Sequence, residues 1–162
     1  MHRNSVCYQV VVALCALFVP PAIWAQSLQV TRADGSSTTV NIAQITALPH
    51  VSITAKDHDT LAQFDGVPLA EVLKLAGIET GGMKGRQMTQ ALLIEAADGY
   101  KVVFALAEVD ADFATREILL ADKRDGKALD ERQGPFRIVA LGDKRPTRWI
   151  RQVTAIRLVQ LK

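Results

Sequence analysis

The chain has 162 residues and a formal net charge of +2, with 49% hydrophobic and 22% charged residues. This length suggests one domain, and so small a net charge gives no electrostatic case for binding nucleic acid or an anionic membrane. Both cysteines, Cys7 and Cys15, lie near the N-terminus. The rest of the chain therefore offers no thiol for a disulfide, a nucleophile or a sulfur–metal bond.

The N-terminal segment has the three-part layout of a secretory signal. A weakly basic start is followed by an uncharged apolar run at residues 10–19, then by two prolines and the small residue Ala25. The run is shorter than the roughly 20 apolar residues that span a bilayer. We expect a signal peptide over residues 1–25, a periplasmic or secreted protein, and no membrane attachment after cleavage. An uncleaved anchor and a lipoprotein signal ending at Cys15 are the alternatives.

Residues 26–162 are predicted to form one α+β domain that begins with a hairpin and a short helix. Alternating stretches at residues 28–32 and 38–42 flank the turn-forming residues 34–36, which is typical of two antiparallel strands. Residues 43–48 predict a short helix that ends at a proline.

The central part of the sequence contains the clearest helix signal. Residues 51–54 alternate as a strand does, and residues 56–60 predict a polar loop. A helix is predicted over residues 68–76, because proline suits the first turn and Gly77 can take the left-handed cap. The glycine-bearing residues 78–90 predict a flexible connection.

The C-terminal part predicts strands separated by turns and one basic loop, at residues 142–148. The predicted strands cover residues 91–96, 100–106, 117–121, 136–141 and 153–161. We therefore expect roughly seven or eight strands and two or three short helices. The fold class is α+β, with a mostly antiparallel, partly mixed sheet.

Three segments, in this order, carry the pattern of a known family. They are FDGVPLAEVL at residues 64–73; ADGY and LLA at 97–100 and 119–121, with Gly126 and Leu129 beyond; and QGPFRIV and GDKRPTRWI at 133–139 and 142–150. Together they resemble the molybdopterin-binding domain of the sulfite oxidase family. The resemblance implies a single domain of that fold over residues 26–162. It also implies a pyranopterin-bound molybdenum held by one cysteine thiolate, from a loop after an early strand.

This chain departs from the family pattern at the positions that serve the metal. The corresponding loop, around residues 56–63, has no cysteine, Gln133 stands where the family has histidine, and Arg148 stands where it has lysine. Enzymes that resemble this family are usually loaded with cofactor before export and carry a twin-arginine signal, whereas this N-terminus has only Arg3. We therefore expect no resident cofactor, with molybdopterin possible by resemblance, and we name no catalytic residue and no metal ligand.

The densest basic segment predicts an anion-binding site. Lys144, Arg145 and Arg148 lie in a region that faces the cofactor in the family that the chain resembles, and guanidinium groups bind oxyanions through a fork of donors. The alternative is that these side chains are solvated or pair with Asp143 and nearby carboxylates. If they form the site, Arg145→Ala and Arg148→Ala should weaken binding of an anionic ligand.

His58 is a further candidate for cofactor binding. It lies between Asp57 and Asp59, and these residue types can serve a metal or a general base. Because three adjacent residues rarely close a coordination sphere, an exposed loop is the favoured interpretation.

For the remaining candidates, we consider a structural or solvent-exposed role at least as well supported as a functional one. His50 is predicted to be structural and Trp149 to be core, while Tyr100 is either a half-buried aromatic or part of a pocket. The acidic residues Glu108, Asp110 and Asp112 are predicted to be solvated.

The resulting hypothesis is a non-catalytic periplasmic module that binds a small anionic ligand or docks on a periplasmic partner protein. The loss of the metal-binding cysteine weakens the case for the family's chemistry, since function belongs to sites rather than folds. The alternative is a molybdopterin-dependent oxidoreductase with unusual ligation or partner-assisted loading. A redox-independent enzyme that reuses the pocket is a third hypothesis, for which the sequence suggests no catalytic group.

Overall fold

The computed structural model describes residues 27–162. The predicted signal peptide and its cleavage site lie outside the described residues. The strands are β1 (Ser27–Thr31), β2 (Ser37–Asn41), β3 (Val51–Asp57), β4 (Thr60–Pro68), β5 (Gln90–Ala96), β6 (Lys101–Ala105), β7 (Ile118–Arg124), β8 (Lys127–Ala128), β9 (Arg137–Ala140) and β10 (Val153–Gln160). The α-helices are α1 (Ile42–Thr46) and α2 (Leu69–Leu75), with 3-10 turns at Gly85–Thr89, Leu106–Val109 and Pro146–Arg148.

The strands form two sheets. The first has the order β2-β1-β10-β5-β6, in which β1 and β10 run parallel and the other neighbours run antiparallel. The second has the order β3-β4-β7-β8, with β9 paired to another part of β7, and is antiparallel throughout. The α+β class and the mostly antiparallel pairing are confirmed, but the strands are divided between two sheets instead of forming one.

One hydrophobic cluster joins the two sheets. It contains Ile94 and Ile156 of the first sheet, Phe64 and Leu120 of the second, and the buried face of α2. The helix begins after Pro68, ends at Leu75 with Ala76 as its C-cap, and is followed by Gly77, which has a φ of 79°. This is the helix that the proline and glycine signals predicted. Among residues 27–162, no helix is both long and apolar enough to cross a membrane.

The glycine of the first motif lies where β4 meets a bulge in β7. Asp65 pairs with Lys123 but Gly66 pairs with Ala121, so β7 has an extra residue at this point. A Cβ atom at Gly66 would collide with the backbone of Leu120 and Ala121. The close approach of two backbones therefore explains the glycine at this position.

Three local predictions are wrong. The predicted polar loop at residues 56–60 is the end of a hairpin, in which Asp57 pairs with Thr60 across a two-residue turn. The predicted flexible connection is anchored, because Ile78 and Met83 are buried and the amide of Gly81 donates to Asp110 at 2.9 Å. Asp110, predicted to be solvated, is buried for the same reason. The first error missed a local strand pairing, whereas the other two come from a contact between residues 29 positions apart in the sequence.

Candidate functional site

A pocket of about 440 Å³ lies where the ends of the two sheets meet. The β3–β4 and β5–β6 turns form two of its walls. The third motif supplies much of the remainder, together with Arg124, Arg132, Arg151 and Gln152. Its lining residues are Asp57, His58, Ala96, Asp98, Tyr100, Arg124, Arg132, Gln133, Arg137, Pro146, Thr147, Trp149, Ile150, Arg151 and Gln152. The second and third segments that resemble the family therefore both contribute to the lining, although they are separated in the sequence. Phe64 of the first segment does not line the pocket but lies beneath Arg124 and Arg137.

Four arginines make this pocket basic: Arg124, Arg132, Arg137 and Arg151. We call it the arginine pocket. Arg132 and Arg151 are exposed, whereas the Arg137 side chain is only 4% exposed and lies at the inner end. Since the lining carries two aspartates against these four cations, the pocket has a net positive charge. A concave surface of this kind concentrates anions.

Asp57 is the counter-ion of the two inner arginines. Its Oδ2 atom accepts hydrogen bonds from Nη1 of Arg124 and from Nη1 of Arg137, both at 3.1 Å. The Asp57 side chain is 9% exposed, so this carboxylate lies inside the pocket. Nη1 of Arg137 also donates to Oε1 of Gln133 at 2.6 Å. The Nε atom of Arg137 is buried and has no hydrogen-bond partner within residues 27–162.

Aromatic rings support the inner arginines. The guanidinium groups of Arg124 and Arg137 lie 5.5 and 5.1 Å from the centre of the Phe64 ring. Trp149 meets Phe64 edge-on with ring centres 5.9 Å apart. Burial lowers the pKa of Arg137, and the carboxylate of Asp57 opposes this shift. Because the usual pKa of arginine is far above neutrality, Arg137 remains a cation at the floor of the pocket.

The basic segment predicted from sequence is divided between different surroundings. Arg148 donates to Asp143 at 2.6 Å and to Glu108 at 3.2 Å, and its guanidinium lies 4.2 Å from the centre of the Phe104 ring. The hydrogen bond that Arg148 donates to the Asp143 carboxylate raises the pKa of Arg148 above its ordinary value. Arg148 thus adopts the carboxylate-paired arrangement that the sequence analysis considered as the alternative.

Lys144 and Arg145 are exposed and are not among the residues that line the arginine pocket. Ligand binding by Lys144, Arg145 and Arg148 therefore stays a prediction without a common cavity to support it. His58 does line the pocket, on the turn between β3 and β4, with a φ of 56° and an 83% exposed side chain.

The four arginines that converge on the pocket were not predicted as site residues from the sequence. Arg137 belongs to the third motif and Arg151 follows it directly, so both carried a signal that was not used. Arg124 and Arg132 lie in a charged stretch outside the quoted motifs, and no local pattern distinguishes them from other surface arginines.

Three further candidates, two aromatic residues and one histidine, have surroundings similar to those predicted for them. Trp149 is 5% exposed and its Nε1 atom donates to the carbonyl of Ala140 at 3.0 Å, as a core tryptophan does. The hydroxyl of Tyr100 donates to the carbonyl of Thr147 at 3.2 Å on the pocket wall, which supports the pocket interpretation. His50 lies away from this pocket and contacts Asp122 at 3.2 Å.

Fold and motifs together define a sulfite oxidase-type molybdopterin-binding domain. A family model described as "Oxidoreductase molybdopterin binding domain" matches residues 50–161, and the chain belongs to this family. The crystal structure of the sulfane dehydrogenase SoxCD from Paracoccus pantotrophus is similar to it, with a TM-score of 0.64 and 18% sequence identity. The match covers 82% of this chain and 38% of that one, so it shows the fold alone. No curated protein matches the chain.

The family implies a molybdopterin, and the residues of the arginine pocket fit only part of such a group. Four arginines suit its anionic substituents. The thiolate ligand has no counterpart, since residues 27–162 contain no cysteine. Nor do these residues contain a group of three or more His, Cys, Asp or Glu side chains that could hold a metal ion. The pocket therefore suits an anion but not the thiolate-bound metal centre that the resemblance implies.

Proposed function

We propose that this domain is an exported, non-catalytic member of its family that binds a small anionic ligand in the arginine pocket. One observation carries the proposal: four arginines converge on a cavity at the β3–β4 turn, where the resemblance places the family's cysteine-bearing loop. Charge-assisted hydrogen bonds from guanidinium groups are strong and directional, and the depth of Arg137 reduces competition from water. Docking on a periplasmic partner protein stays a prediction.

The alternative, a molybdopterin-dependent oxidoreductase with unusual ligation, is favoured by family membership itself. Since the described part of the chain has no thiolate, such an enzyme would need a different ligand to the metal. The two hypotheses differ in whether the purified protein holds molybdenum and pterin.

We expect protein produced with its own N-terminal segment to reach the periplasm and to contain less than stoichiometric molybdenum and pterin. The measurement is metal analysis by mass spectrometry, together with pterin fluorescence after oxidation. A cysteine-bearing family member purified in parallel is the control for cofactor supply. Stoichiometric molybdenum with pterin would establish the alternative, and retention in the cytoplasm would contradict the export prediction.

A matched pair of exposed arginines tests which part of the basic segment binds the anion. Arg151→Ala should weaken sulfate binding by about tenfold or more, because a charge-assisted hydrogen bond contributes about 1.5–3 kcal/mol. Arg145→Ala removes the same charge six positions earlier, outside the pocket lining, and should leave the affinity within about twofold on the same scale. The measurement is isothermal titration calorimetry at constant ionic strength.

The opposite ranking would move the ligand to the site predicted from sequence. If Arg145→Ala weakens binding while Arg151→Ala does not, the segment with Lys144, Arg145 and Arg148 holds the anion and the arginine pocket does not.

A further inference from the structure

We propose that Asp57 is an internal anion of the arginine pocket, which a ligand must displace to reach Arg124 and Arg137. The pocket would then select divalent oxyanions over monocarboxylates. This inference rests on the proposed function, and it adds a rule for which anions the pocket accepts.

The contacts of Asp57 are those expected of a bound anion. A single oxygen, Oδ2, accepts hydrogen bonds from both inner arginines. Both guanidinium groups also lie over the ring of Phe64. These contacts join residues 67 and 80 positions apart in the sequence. Asp57 thus supplies one carboxylate to two guanidinium groups, and Nε of Arg124 also lies 3.5 Å from the exposed Asp125. At the opening of the pocket, Arg132 and Arg151 are exposed.

The cations are held more firmly than the anion. Arg137 lies on β9, which pairs with β7, and its guanidinium also lies 5.9 Å from the Trp149 ring. Asp57, in contrast, is the last residue of β3 and adjoins the turn residues His58 and Asp59. The side chains of both turn residues are exposed. A change of the Asp57 side-chain rotamer would withdraw its carboxylate from both guanidinium groups and open a place beside them for a ligand.

The preference for divalent oxyanions follows from competition between Asp57 and the ligand for the two inner arginines. A carboxylate attached to the protein has a high effective concentration, so a monocarboxylate in solution offers the arginines nothing that Asp57 does not already supply. A divalent oxyanion carries more charge and several oxygens in different directions. It can engage Arg124 and Arg137 together with Arg132 or Arg151, which the single carboxylate of Asp57 does not reach in the structure.

The test compares Asp57→Asn with Asp59→Asn, which removes the same charge from the adjacent turn. Asp59 lies on the surface, 3.9 Å from Nζ of the exposed Lys56. Sulfate and acetate are titrated into wild type and both variants by calorimetry. We expect Asp57→Asn to tighten sulfate binding about tenfold or more, since the competent fraction of the pocket rises, and to make acetate binding measurable. Asp59→Asn should behave as wild type for both anions.

Weaker sulfate binding by Asp57→Asn would overturn the inference, because Asp57 would then position the arginines for the ligand. Unchanged sulfate affinity in Asp57→Asn, with Arg151→Ala still impaired, would also overturn it while leaving the proposed function intact. If neither wild type nor any variant binds sulfate, the proposed function itself fails.

A measurement on the wild-type protein covers the case in which Asp57→Asn does not fold. The side-chain carboxyl carbon of Asp57 can be followed by NMR while sulfate is added. We expect its resonance to move with the same saturation curve as the calorimetric binding, as the carboxylate leaves the two guanidinium groups. A resonance that stays in place while sulfate saturates the pocket would overturn the inference.

Discussion

Arg137→Ala is expected to lower the free energy of unfolding by about 3–5 kcal/mol and to abolish measurable sulfate binding. Arg137 is 4% exposed and pairs with Asp57, which is itself 9% exposed. Removing one partner of a buried ion pair leaves the other charge poorly compensated. The change also removes the guanidinium from above the Phe64 and Trp149 rings. Urea unfolding and calorimetry with sulfate measure the two effects.

Two variants separate the possible causes of that result. Arg132→Ala removes an exposed arginine of the same pocket and should change the stability by about 0.5 kcal/mol or less while still weakening sulfate binding. Arg137→Met keeps an apolar chain over the rings but removes the charge. If Arg137→Ala proves as stable as Arg132→Ala, Arg137 is not the buried counterpart of Asp57 in solution.

Trp149→Ala is expected to lower the free energy of unfolding by about 3–5 kcal/mol, because it leaves a large cavity between the sheets. The indole is 5% exposed, it contacts Phe64 edge-on, and its Nε1 atom satisfies the buried carbonyl of Ala140. For a domain of this size the melting temperature should fall on the order of 10–20 °C. Differential scanning calorimetry gives both quantities.

An exposed aromatic residue supplies the control for this prediction. Phe113 is 51% exposed, so Phe113→Ala should move the melting temperature by only about a degree or two. The melting temperature of Trp149→Phe should fall between those of Trp149→Ala and Phe113→Ala, since this variant keeps a ring against Phe64 but loses the hydrogen bond to Ala140. A melting temperature for Trp149→Ala within a degree of wild type would show that this side chain is not part of the core.

The binding site could be predicted from sequence only in part. Family motifs indicated the right region, because the segment around Arg137 and Trp149 does form the pocket floor. Charge density did not indicate that Arg148 pairs with Asp143 and Glu108 outside the arginine pocket. A run of cations in a sequence does not show which carboxylates the fold brings beside it.

The fold was predictable where the signal is local. The hairpin of β1 and β2, the helix α2 between Pro68 and Gly77, and the strands β5, β6 and β10 follow from alternation, turn residues and caps. Partition into two sheets was not predictable in the same way. It depends on pairings such as β1 with β10, which lie at opposite ends of the described chain, and strand order is not encoded in either strand alone.

The sequence by itself determined the family, the α+β class, the absence of a thiol after residue 15 and the burial of Trp149. These properties follow from composition, motif order and local periodicity. Only the tertiary structure decided that Asp57, Arg124 and Arg137 meet, and that Arg148 does not join them. The reason is physical: ion pairs between residues far apart in the chain depend on how two sheets pack, and a charged side chain looks the same in a sequence whether it faces solvent, a carboxylate or a pocket.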